Sequence, residues 1–148
     1  MSLLLESTKK LILRDLAVLE KEIASYQTEE QIWKVKEGIT NSAGNLCLHL
    51  CGNLQYYIGS ILGNTGYQRN RDLEFSAKNI SKQKLIEEIH QTKKAVSEAL
   101  ANVSKEEIEK IYPVEVFKEP MTTGHFLIHL SAHLGYHLGQ INYHRRLS

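Results

Sequence analysis

Apolar residues recur along this chain at helical rather than strand spacing, in four long stretches. In the first, from Leu5 to roughly Tyr26, Leu5, Ile12, Leu16, Leu19 and Ile23 fall on one narrow arc. Lys9, Lys10, Arg14, Glu20 and Lys21 flank or oppose it, which predicts an amphipathic helix with one face to a core. The second stretch, about Ala43 to Leu62, carries Leu46, Leu50, Leu54, Tyr57 and Ile61 on one face. Ser42 or Asn41 can cap its start, and Gly63-Asn-Thr-Gly66 ends it. A third helix is expected over about Ser81 to Asn102, with Leu85, Ile89, Val96 and Leu100 on its arc. The fourth runs from Thr122 or Thr123 to near Leu147, with Leu127, Leu130, Leu134, Leu138 and Ile141 inward. Four long helices with similar faces predict an all-α fold, an antiparallel four-helix bundle.

The connections read differently. Residues 27–42 predict a short turn and then a loop, with Trp33 as a plug in the core. Tyr67 to Phe75 is the main charged loop. Ser104 followed by Glu107 is a capping-box pattern for a short helix. Tyr112 to Phe117 could be extended, but a lone strand has no partner.

The 148 residues suggest one domain, 1–148, large enough for a core without staples. A net charge of +1 with interleaved signs gives no pull toward nucleic acid or acidic lipid. Cys47 and Cys51 make no disulfide framework, and their C-x-x-x-C spacing is not the C-x-x-C redox motif, so inert burial is expected. The N-terminal stretch lacks a signal-like apolar region, and no 18-residue apolar run occurs. The expectation is a soluble, cytoplasmic protein with no membrane or nucleic-acid partner.

Histidine usage changes the picture. Four of the seven histidines, His125, His129, His133 and His137, recur every fourth residue in the last helix. Residues four apart stack on one side of a helix, and neutral imidazole is a common transition-metal ligand. A helix winds by about 40° for each four-residue step, so the four do not share one spot. His137 lies on the shoulder of the apolar arc, His133 slightly further out, and His129 and His125 further still. The His133–His137 pair is therefore nearest the core, with His129 a neighbouring or packing residue.

Two imidazoles on one helix and a third from a facing helix make three nitrogen ligands with an open position, the pattern of a catalytic metal site. The candidates for the third are His49, His90 and His144. His144 lies about 10 Å beyond His137 along the same helix, too far to share an ion with both. His90 sits among lysines and glutamates on a solvent-facing side. His49 lies in an apolar segment at the edge of its helix face, with Asn53 one turn on, and is the best choice.

The segment His133-Leu134-Gly-Tyr-His137-Leu-Gly-Gln-Ile141 resembles the His-x-x-x-His-Arg-Gly-Gln-Ile signature of the DinB-like superfamily. Leu48-His49-Leu50-Cys-Gly-Asn53-Leu54 looks like that family's second-helix histidine motif. With Arg69-Asn-Arg71-Asp72-Leu-Glu74-Phe75, the chain is similar to the DUF1572 branch. The resemblance covers almost the whole chain. It implies a four-helix bundle with a long crossover connection, a divalent metal (zinc or nickel) on His49, His133 and His137, and a homodimer. Leu138 stands where the commonest pattern has arginine, which removes a positive charge beside the site.

The resemblance also implies chemistry. Characterised relatives include transferases and an isomerase dependent on low-molecular-weight thiols, so a bacillithiol-like S-transferase is the first expectation. A hydrolase that activates water on the metal is the alternative. A nonenzymatic metal-binding or dimerising helical protein is the third. No catalytic acid or base is assigned. Asp72 and Glu74 could donate a proton if the charged loop folds over the pocket, and Tyr56 and Tyr136 are further donors. Arg69 and Arg71 suit a carboxylate, either on an anionic thiol or within the chain at Asp72 or Glu74. Asn53 could orient His49 or bind substrate.

Overall fold

A computed structural model describes residues 2–148 as an all-α helix bundle. Helix α1 spans Leu3–Ala24, α2 Glu29–Ile32, α3 Ala43–Leu54, α4 Arg71–Ser76, α5 Lys82–Ala101, α6 Lys105–Glu109 and α7 Thr123–Arg146. Among the described residues the one β feature is an isolated bridge between Ile111 and Thr122. No described helix is long and apolar enough to cross a membrane.

Each long helix starts at a side-chain cap. Ser2, Ser42, Ser81 and Thr122 accept hydrogen bonds from Leu5, Asn45, Lys84 and His125 amides, relieving donors that the first turn leaves open. The arc expected on α1 is buried completely: Leu5, Ile12, Leu16, Leu19 and Ile23. Helix α1 packs against α5 and α7, and α3 against those same two helices. Almost every residue of α3 is buried, so it sits in the middle of the molecule rather than presenting one face.

Small residues set how closely the elements approach. A Cβ on Gly44 would lie 2.7 Å from the Trp33 ring, and one on Gly63 would lie 2.6 Å from Ala99 Cβ on α5. Trp33 is half-buried against the core, and its indole donates to the Ile80 carbonyl at 3.2 Å. Buried Cys47 and Cys51 belong to the core, and the hydrogen bond with Cys51, then burial, push the Cys47 thiol up, away from thiolate.

Three local differences from the sequence reading matter. The second long helix is α-helical only to Leu54 and then widens into a π-helical segment, Gln55–Ser60, which packs on α5. Asn64 and Gly66 then adopt left-handed backbone (φ 57° and 78°) and stop it. Residues 27–42 contain the short helix α2, closed by a reciprocal Thr28–Gln31 capping box. The charged loop contains α4, whose first turn is capped by Asn70. That last helix packs on α3 and delivers Glu74 to the interior.

Candidate metal centre

Helices α3 and α7 pack side by side and bring three imidazoles together. His49, His133 and His137 each offer a ring nitrogen, and these atoms all lie within 4.8 Å of one another. His49 is buried, and the other two are half-buried. The His49 and His133 Nε2 atoms stand 3.2 Å apart. Nitrogens sharing a tetrahedral ion at 2.0–2.1 Å would lie about 3.3 Å apart. The residues present therefore fit a transition-metal ion. An all-imidazole set with no carboxylate suits such an ion better than magnesium or calcium.

Two of the rings are fixed from behind. His49 Nδ1 donates to Glu74 Oε1 at 3.1 Å, and His137 Nδ1 donates to Gln140 Oε1 at 2.6 Å. Each bond places the proton on Nδ1 and leaves Nε2 bare for a ligand role. His133 differs: its Nδ1 is buried and meets no hydrogen-bond partner among the described residues.

Glu74 is itself held. Arg69 donates to it twice, Nε to Oε2 at 2.9 Å and Nη2 to Oε1 at 3.0 Å. The guanidinium also comes within 3.3 Å of His49 Nδ1, but two donors cannot bond, so the carboxylate is the partner of both. Burial alone would raise the Glu74 carboxyl; hydrogen bonds from His49 and Arg69 and the Arg69 charge overcome it and hold the pKa below its ordinary value. The seat for this carboxylate is the bare face of Gly52, where a Cβ would lie 2.7 Å from Glu74 Cδ and closer still to its Oε2.

The front of the cluster is uncharged. Burial, then the neighbouring charges of His137 and His49, push His133 down to about 4. Burial also lowers His137, although its bond to Gln140 opposes the shift. Near neutral pH both rings are unprotonated and have lone pairs to give.

The remaining candidates fall into place around this core. Asn53 is buried, but its Oδ1 meets no hydrogen-bond partner among the described residues; the group that orients His49 is Glu74. Arg71 lies over the Phe75 ring at 5.3 Å, and both it and Asp72 are exposed. Arg69 makes the internal tie to Glu74 rather than waiting for an anion. His129 packs edge-on against Phe117 and stacks on His133 with ring centres 6.3 Å apart. His90 is exposed and pairs with Glu20, while His144 is engaged by the Tyr26 hydroxyl at 2.6 Å.

Gly52, Gln140 and a cleft beside His137 were not singled out by sequence reasoning. Gln140 stands inside the Gly-Gln-Ile signature, so a signal for it existed. Gly52 had none: its role depends on α4, which approaches from a distant part of the chain. A cavity of about 560 Å³ lies between residues 34–41 and α7, with His137 and Gln140 in its wall.

No curated protein matches the chain. Residues 2–147 match the family described as "Protein of unknown function (DUF1572)". The three-histidine cluster, joined by that match over nearly the full length, leads to one conclusion: the chain belongs to the DUF1572 family, within the DinB-like superfamily.

Proposed function

We propose that the protein is a divalent-metal-dependent enzyme that transfers a low-molecular-weight thiol to an electrophile, with zinc or nickel on His49, His133 and His137. The observation that carries this reading is the set of three converging imidazoles backed by Glu74 and Gln140. A bound ion supplies Lewis acidity at an open coordination position. The chain's own residues do the rest. Glu74 and Gln140 hold two rings in the ligand tautomer, and burial keeps His133 and His137 neutral. In the transfer, sulfur forms a bond to carbon, the leaving group departs with its bonding pair, and the thiol proton passes to solvent.

Neither Glu74 nor Asp72 is a ready proton donor, which favours thiol transfer over hydrolysis. Glu74 is ionised and occupied by three hydrogen bonds, and Asp72 is exposed. A thiol ionises far more readily than water and asks less of a protein acid or base. Hydrolysis is the second reading, because Tyr136, 5.2 Å from the His137 ring between centres, could hand a proton to a leaving group. A structural metal site without turnover is the third. The same proposal holds that residues 1–148 form one domain, an antiparallel four-helix bundle built from the long helices with the 61–81 connection as crossover. It also holds that the protein acts in the cytoplasm as a homodimer. Leu11 and Val18 of α1 and Ile128 of α7 are apolar side chains exposed on the long helices.

Cobalt(II)-loaded protein tests the reading. Adding cysteine, or another small thiol, should produce a saturable sulfur-to-cobalt charge-transfer band. Consumption of an electrophile such as monobromobimane should then follow saturation kinetics. A cobalt spectrum unmoved by every thiol tried, together with ester cleavage, would transfer the assignment to hydrolysis.

A further inference from the structure

The cavity beside His137 has a definite construction. Its outer wall is the connection from α2 to α3, which is tied to the end of α7. His144 Nε2 donates to the Lys34 carbonyl at 2.8 Å, and Lys36 Nζ donates to the Leu147 carbonyl at 3.1 Å. The connection turns at Gly38, whose φ of +89° is a conformation that other residues rarely adopt. The wall is therefore held in place before any ligand arrives.

Its lining is mostly apolar. Ile39, Leu46, Tyr136 and Tyr143 form the apolar sides, while His137 and Gln140 on α7 and Thr40 and Asn41 opposite bring polar atoms to the wall. The charged residues of the lining, Lys34, Lys36 and Glu37, are all exposed to solvent, and Lys36 donates to the Leu147 carbonyl. No arginine lines the cavity. At about 560 Å³ it is several times the roughly 150 Å³ that houses benzene in a buried cavity, and it falls within the usual range of small-molecule sites.

We infer that this cleft binds a small uncharged molecule with an apolar, ring-sized body, its reactive end toward His137 and Gln140. It would be the acceptor of the proposed thiol transfer, and in that respect the inference rests on that reading. Tyr136 and Tyr143 offer faces and edges for a ring to pack on. Charge on the body would have no buried partner there.

Amide NMR of the metal-free protein isolates the cleft from the metal. The probes are 2-phenylethanol and phenylacetate, the same body without and with charge. The expected result is saturable shifts at Ile39, Leu46 and Tyr143 with 2-phenylethanol, at a Kd of the order of 1 mM. Phenylacetate should bind at least fivefold more weakly. In Ile39→Glu/Tyr143→Ala, 2-phenylethanol should also bind at least fivefold more weakly, with metal content and thermal midpoint unchanged; Ile39 is 43% and Tyr143 64% exposed, and neither belongs to the buried core. Shifts elsewhere or nowhere, tighter binding of phenylacetate, or equal affinity in the double variant would overturn the inference. The cobalt–thiol spectrum is read separately. Its failure would remove the thiol reading without moving the shifts caused by the alcohol.

Discussion

The Nε2 atoms of His49 and His133 face each other at 3.2 Å across 84 residues of chain. His49 carries its proton on the far nitrogen, bonded to Glu74, so its near nitrogen is bare. Among the described residues, His133 has no partner for its far nitrogen. Whichever tautomer His133 takes, the metal-free pair leaves a buried polar atom unsatisfied, at a cost of about 1–3 kcal/mol. A cation between the two rings would satisfy both inward lone pairs.

Glu74 should tune metal affinity without touching the ion. Glu74→Ala removes the acceptor that fixes His49 and leaves the Arg69 charge buried without its partner. Zinc affinity, measured by competition with a chelator, should fall about 10–100-fold. Glu74→Gln keeps an acceptor oxygen and should fall less. Equal affinity in all three proteins would show that the bond to His49 does nothing for the ion.

Gly52→Ala should reproduce the Glu74 defect from the opposite side. Its Cβ would lie 2.7 Å from Glu74 Cδ, so the carboxylate must leave its seat. Overpacking of this kind costs about 1–3 kcal/mol, read by denaturant unfolding, and zinc affinity should drop with it. Gly139, the glycine of the Gly-Gln-Ile signature, makes the control. A Cβ there meets nothing within 4 Å. Gly139→Ala should raise stability by about 0.5–1 kcal/mol, because helix propensity improves with no clash.

Stability of the metal-free protein should fall on mild acidification. His133 is held at about 4 when folded, against roughly 6.5 when unfolded, so the unfolded chain binds more protons between those values. The stability conferred by a neutral His133 is complete above about pH 6.5 and is lost as pH falls through 4. His137, also lowered, adds to the loss in the same direction. Thermal midpoints in the presence of a chelator should therefore decline from pH 7 to 4.5. His133→Leu should flatten that decline by roughly 2 kcal/mol at its acid end. A slope that is unchanged in the variant would contradict the buried neutral assignment.

The histidine cluster was legible because its spacing is a local property of α7. Four-residue steps and helical winding single out His133 and His137, and His49 follows from its apolar segment and from the family resemblance of Leu48 to Leu54 around it. The arcs of α1, α5 and α7 were legible for the same reason. Glu74 was harder. Its sequence neighbours Arg71, Asp72 and Arg69 read as one charged loop, yet a six-residue helix capped by Asn70 turns Glu74 inward and leaves Arg71 and Asp72 in solvent. Only the packing of α4 on α3 distinguishes them. The π-helical widening after Leu54 and the cleft wall at Ile39 likewise depend on contacts between segments far apart in sequence, which no periodicity encodes.

The central claim is that His49, His133 and His137 hold one divalent ion together. Elemental analysis after mild dialysis tests it directly in the wild type and in His49→Ala, His133→Ala and His137→Ala. The wild type should retain about one zinc or nickel per chain, and each variant should lose most of it while remaining helical by circular dichroism. Equal metal in all four proteins would contradict the assignment of the centre to these three residues.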